Sequence, residues 1–358
     1  MRRFVTLLTL SLLVVSGVIY SNTMTTSASE EISDVDILVL ISDGCGWNYF
    51  VVNETLHEMG VDVTTITNTE SYIVPACPNR EPRNITADLL LSELDLETIT
   101  DFDGVIIPSG GQWELLSNDS DVYEFLQVAY ENGLVIGTIC NADITLGRAM
   151  VVITGTRITP PLPNAYYNFT DCGAVIEWDG IVVSDNGFVT GGLGGAPAGY
   201  LTAPTYEVCL EMVKKIMDYS YLDHAEVTPE TSRTSFNYSI AVECSNLTAV
   251  LSGFNISDIA QVTAYIYPES NSSDVTEVEL VYAEATDQYQ GSFTVSSTGN
   301  YIVDVDFVND EDTFEIVRNV TTFTVGPQMS EISLGILALA GGVGVVVIVG
   351  VVLWRKKS

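Results

Sequence analysis

From Val35 to about Tyr221, short apolar runs alternate with stretches of helical spacing, a pattern that few architectures accept. "VDILVLIS" reads as a strand buried on both faces, and it runs into the turn "DGCG". Helical spacing then covers Trp47–Met59, and Gly60 stops it. "VDVTTIT" is a second strand, and "FDGVIIPSGG" a third that ends in a glycine-rich turn. "DVYEFLQVAYENG" is a helix closed by Gly133, "LVIGTIC" a strand, and Ala142–Met150 a short helix. "AVIEWDGIVVSDNGFVTGG" reads as short strands around "DG" and "NG" turns. In "TYEVCLEMVKKIMDY" Cys209, Met212, Val213 and Ile216 share one helical face, which puts Cys209 in the core. Residues 33–223 are therefore expected to form a parallel sheet covered by helices on both faces. A ligand site belongs at the carboxyl ends of its strands.

After His224 the pattern changes. Segments such as "FNYSIAVEC", "AQVTAYIYP", "TEVELVYAEA" and "NYIVDVDFV" alternate apolar and polar residues, with turn signals between them and no helical stretch. Residues 224–327 read as an immunoglobulin- or fibronectin-like β-sandwich, entered through "AEVTPETSRTS". A stalk or partner-binding module is the expected role, and mere spacing from a membrane is the other.

The ends suggest where the molecule sits. Residues 1–29 carry Met-Arg-Arg, an apolar run and small residues, the pattern of a secretory signal peptide or of an uncleaved anchor. Ile332–Trp354 is an uncharged run of 23 residues followed by a basic tail, 355–358. It is expected to span a membrane once, with the tail cytoplasmic and the bulk of the chain outside. Nine glycosylation sequons, at Asn53, Asn84, Asn118, Asn168, Asn237, Asn246, Asn255, Asn271 and Asn319, fit that placement. Chance would supply about three or four. A net charge of −34 disfavours nucleic acid and anionic lipid as partners. Six cysteines at these spacings, with only two histidines, suggest neither a disulfide scaffold nor a metal site, and no cofactor is implied.

Cys140 stands in "GTICNAD", at the carboxyl end of a buried strand and the start of a helix. Helix-terminal N–H groups there favour a thiolate and could hold an oxyanion. A buried structural cysteine is the competing reading.

The block "DFDGVIIPSGGQWELLSNDSDVYEFLQVAYENGLVIGTICNADITLGRAMVVITGTRIT" resembles the centre of the ThiJ/PfpI family. The resemblance runs from Val35 to about Tyr221 and implies a class I glutamine amidotransferase-like, flavodoxin-like fold. It gives Cys140 the role of nucleophile and the backbone N–H groups of Gly110 and Asn141 that of oxyanion hole. The family includes peptidases, deglycases and glyoxalases, so a small molecule or peptide is the expected ligand of the cleft, and homo-oligomers are expected.

The chain also departs from the family. Asn141 stands where many members have histidine, and "TPPLPN" lacks the histidine of deglycase-like members. Asn48 falls at or near the family glutamate that hydrogen-bonds the thiol, and Cys45 replaces a second acid. His57 lies roughly 15 Å along its helix from the site, and His224 follows the last helix, so neither can serve as base. Asp43 could orient water or simply form its Asp-Gly turn, and Asp143 lies one turn past the elbow. A Cys45–Cys140 disulfide is conceivable and would silence the thiol. Two readings stand: a surface-anchored cysteine hydrolase or carbonyl-adduct enzyme, or a non-catalytic ligand-binding or adhesion receptor.

Overall fold

The computed structural model describes residues 32–76, 83–149, 151, 154–160, 169–192, 204–230, 236–251 and 253–326. The expected leader, membrane span and tail lie outside the described residues, as do Cys77 and Asn168. No described helix is long and apolar enough to cross a membrane.

Strand β1 (Asp36–Ile41) is an aliphatic run because both of its faces are covered. Ile37, Val39 and Ile41 point into one core, and Leu38 and Leu40 into the other. Helix α1 (Asn48–Met59) ends where Gly60 turns left-handed, at φ 89°, and its N–H closes on the carbonyls of His57 and Leu56. Strands β2 (Asp62–Thr67), β3 (Leu89–Leu90) and β4 (Gly104–Ile107) follow. Helix α2 (Ser120–Glu131) is started by the Asp119 carboxylate, which accepts from the Asp121 N–H at 2.9 Å. Strand β5 (Val135–Ile139) leads through the Cys140–Ala142 turn into α3 (Asp143–Ala149). Strands β6 (Val182–Asp185) and β7 (Phe188–Gly191) form a hairpin whose central Asn186 and Gly187 both have positive φ, and α4 (Thr205–Ile216) comes last.

The sheet order is β3-β2-β1-β4-β5-β7, all parallel, with β6 antiparallel on the outer side of β7. Helices α1 and α4 cover one face, while α2 and α3 cover the other. Cys209 is fully buried on α4 beside Met212 and Val213, as its spacing predicts. This is the expected flavodoxin-like α/β arrangement.

The second part of the chain is a large β-rich region. Its strands are β8 (Leu222–Pro229), β9 (Phe236–Cys244), β10 (Ile259–Pro268), β11 (Thr276–Ala283), β12 (Gln288–Val295), β13 (Gly299–Asn309) and β14 (Thr313–Val325). Ile240 and Val242 on β9, Phe293 and Val295 on β12, and Val303, Val305 and Phe307 on β13 close one core. One helical turn, Leu247–Val250, interrupts a region expected to hold none. Asn246 makes it by accepting the Ala249 N–H at 3.1 Å, a local cap that apolar periodicity does not reveal.

The β-rich region does not hang from the α/β part as a separate body. Strand β14 pairs in parallel with β6, matching Val182 to Thr313, Val183 to Phe314 and Ser184 to Glu315. Both regions thereby share one continuous sheet. Three cations pin the seam. Arg318 of β14 grips both carboxylate oxygens of Asp185, at 2.8 and 2.6 Å. Lys214 of α4 lies between Glu211 and Glu315, at 2.6 and 3.3 Å. Arg157 pairs with Asp306 of β13.

Candidate functional site

The loops at the carboxyl ends of β1 and β4 are knitted together before any reactive group is considered. Gly46 N–H donates to the Ser109 carbonyl at 2.7 Å, Ser42 N–H donates to Gln112 Oε1 at 2.7 Å, and Cys45 bridges to Gly110. Gly110 sits at φ 124°, where a Cβ atom would fall 2.3 Å from Gly46 N and 2.7 Å from the Gly44 carbonyl. Only glycine meets both demands. Gly110→Ala should cost about 2–4 kcal/mol, since it adds left-handed strain to a forced shift of the facing loop. Chemical unfolding measures this, and a loss under about 1 kcal/mol would mean that the loops part easily.

Asn48 serves this framework. Its Oδ1 accepts from Ser109 N–H at 3.1 Å and from Ser109 Oγ at 2.8 Å, so the residue aligned with the family glutamate holds the Gly110 turn. Its Nδ2, like Asn141 Oδ1, is buried without a hydrogen-bond partner among the described residues. A donor in the framework of the Gly110 turn and an acceptor at the elbow are thus left over. Asp43 is exposed in the turn that Gly44 completes at φ 80°, so turn formation accounts for it. His57 and His224 are both exposed, His57 Nδ1 lying 2.7 Å from the Asn53 carbonyl oxygen.

Cys140 itself adopts φ 60°, a left-handed conformation costly for a residue with a Cβ atom. Such backbone is retained where the surrounding structure over-determines it, often at functional turns. The thiol is free, so the conceivable Cys45–Cys140 disulfide is not formed. Nor is the thiol the low-pKa thiolate that the helix start suggests. The residue is 1% exposed, and burial, with the Asp143 carboxyl adding to it, pushes the thiol up to about 12. Burial outweighs the hydrogen bond from the Asn141 backbone N–H, which favours the thiolate.

Asp143 is the residue whose importance the sequence understates. It is fully buried, and burial pushes its carboxyl up to about 8. Thr138 Oγ1 donates to its Oδ1 at 2.5 Å, and Thr159 Oγ1 donates to its Oδ2 at 3.3 Å. Thr159 is held in turn, its N–H donating to Thr190 Oγ1 at 2.9 Å. A strand, a helix, a loop and a second strand thus converge on one carboxyl group. The sequence signal was the i, i+3 spacing from Cys140 and the threonine ending "GTRIT".

Sheet order and the strained elbow define a flavodoxin-like α/β domain with a cysteine at the carboxyl edge of its sheet. Residues 35–199 match the model of the DJ-1/PfpI family, and this part of the chain is a DJ-1/PfpI family domain. An uncharacterized protein of Methanocaldococcus jannaschii is 25% identical over 128 residues, 36% of this chain; the chain spans 59% of that relative's length. A two-domain protein of Anabaena variabilis, with DJ-1/ThiJ/PfpI-like and ferritin-like domains, matches at 18% identity and a TM-score of 0.42. That match covers 52% of this chain and 48% of the other. DJ-1beta of Drosophila melanogaster matches at 21% identity and a TM-score of 0.40, over 51% of this chain and 90% of its own.

Proposed function

We propose that the DJ-1/PfpI domain is a carbonyl-adduct enzyme in which Cys140 adds to a small aldehyde or ketone and Asp143 carries the proton. The observation behind this reading is the buried Asp143 carboxyl, one turn from Cys140 and pushed up to about 8. A group poised near neutral pH both gives and takes a proton readily. In the addition, the S–C bond forms as the C=O π bond opens. Asp143 gives its proton to the new alkoxide and receives the thiol proton, so the charge of the site is unchanged. Asn48 Nδ2 and Asn141 Oδ1, buried and unpaired among the described residues, offer a donor and an acceptor to such a substrate. Gly110 and Asn141 N–H groups are the proposed oxyanion donors.

A turnover screen with glyoxal, peptide and glutamine substrates tests this reading. The wild type should turn over the glyoxal class, Cys140→Ser should abolish turnover, and Asp143→Asn should lower it about 10²- to 10⁴-fold. Equal rates in wild type and Cys140→Ser would sink the enzyme reading. The second reading is a ligand-binding or adhesion receptor with a silent cysteine, and it draws support from the 1% exposure of Cys140.

For location we propose a single-pass surface protein, anchored through 332–354, with an immunoglobulin-like β-rich region nearest the membrane. The described sequon asparagines support it. Asn84, Asn118, Asn246, Asn255, Asn271 and Asn319 are exposed, and Asn53 and Asn237 are half-buried.

A further inference from the structure

The strand pair Arg157–Ile158 and Val175–Ile176 lies between the Cys140 site and the β-rich region. Its first strand reaches the site through the next residue, Thr159, which donates to Asp143. The same short segment is gripped from the other side by β-strand residues over a hundred positions later. Arg157 pairs with Asp306 of β13, and its guanidinium lies 5.1 Å from the ring centre of Tyr265 on β10. Arg318 of β14 donates to the Gly155 carbonyl at 2.9 Å and clamps Asp185, whose Oδ2 accepts the Arg157 N–H at 2.7 Å. Segment 155–159 is therefore fixed at both ends. Arg157 and Asp306 are 19% and 4% exposed at their side chains, so water does little to weaken their pairing.

We propose that the β-rich region is a positioning module for the cysteine site: Asp306, acting through Arg157, sets where Thr159 stands and so how Asp143 is hydrogen-bonded. This rests on Asp143 being the proton-carrying group, but its tests need no turnover, so it can fail or stand apart from the enzyme reading. Asp306 and Arg157 are positioning residues, remote from the thiol. A spacer or stalk would leave the site indifferent to them. The proposed module would not.

The test uses the full chain with Asp306→Asn, which removes the charge and keeps the shape. Amide exchange across 154–160, followed by mass spectrometry, should quicken about fivefold, the loss expected for one hydrogen bond. Exchange across the buried strand Val135–Ile139 should not change. The carboxyl infrared band that Asp143→Asn deletes should titrate about half a unit or more higher than in wild type, because the Thr159 hydroxyl favours the charged form. Thr159→Val should raise the same midpoint without altering the seam. Should Asp306→Asn fold poorly, Arg157→Met/Asp306→Leu replaces the pair by apolar groups and should show the same two changes in a folded protein. Wild-type exchange and midpoint in the folded seam variants, with a raised midpoint in Thr159→Val, would overturn the proposal.

Discussion

Lys214→Met should destabilise the protein by about 3–5 kcal/mol, the loss typical of breaking a buried ion pair from one side. The lysine side chain is 1% exposed, with its Nζ 2.6 Å from Glu211 and 3.3 Å from Glu315. Burial works against its charge, yet the two carboxylates hold its proton above the ordinary lysine value. It also lies 4.2 Å from the ring centre of Tyr221, whose N–H donates to Glu315 at 3.1 Å. Without the ammonium group, two carboxylates would face each other away from water. Glu211 belongs to α4 and Glu315 to β14, so the damage falls on the joint between the two regions. Lys214→Met/Glu211→Leu/Glu315→Gln should recover most of the loss, since removing the whole cluster leaves no unpaired charge. Urea unfolding of both variants measures the effect, and a single-variant loss below about 1 kcal/mol would mean that water reaches the cluster.

The second large effect is a dependence on pH. The Asp143 carboxyl rises from an ordinary 3.8 to about 8 on folding, so the folded state favours its protonated form. Stability from this group is complete below about pH 4 and is lost as pH rises through about 8. At about 1.4 kcal/mol per unit, the loss amounts to up to about 6 kcal/mol. Asp143→Asn cannot titrate. The stability of the wild type minus that of the variant should therefore fall between pH 4 and 8 and level off above. Asp306, pushed up to about 6 by burial, loses stability in the same direction and cancels in that difference. Chemical unfolding at a series of pH values provides the comparison. A difference that stays flat from pH 4 to 9 would remove Asp143 as a proton carrier.

Strand β1 was legible because burial on both faces leaves an unbroken aliphatic run, and the α4 core stripe because helical spacing records a single buried face. The turn at Pro108–Gly110 and the elbow at Cys140 were legible as places, since a strand ending in small residues at the sheet edge announces them. Their chemistry was not. From "GTICNAD" alone, the start of a helix promises a thiolate, whereas the folded chain buries Cys140 and puts Asp143 beside it. Asn48 aligned with a thiol partner but holds Ser109 instead.

The amino-acid sequence by itself determined the order of the longer strands and helices, the parallel sheet and the position of Cys140 at its carboxyl edge, because these follow from periodicities a few residues long, whereas the edge strand β3 and the Leu247–Val250 turn are too short to leave one. Tertiary structure alone decided the protonation of Cys140 and Asp143, the union of β14 with β6, and the path from Asp306 through Arg157 to Thr159. The physical reason is common to all three. Desolvation and pairing depend on what stands opposite a group in space, and here the partners come from positions up to 149 residues away.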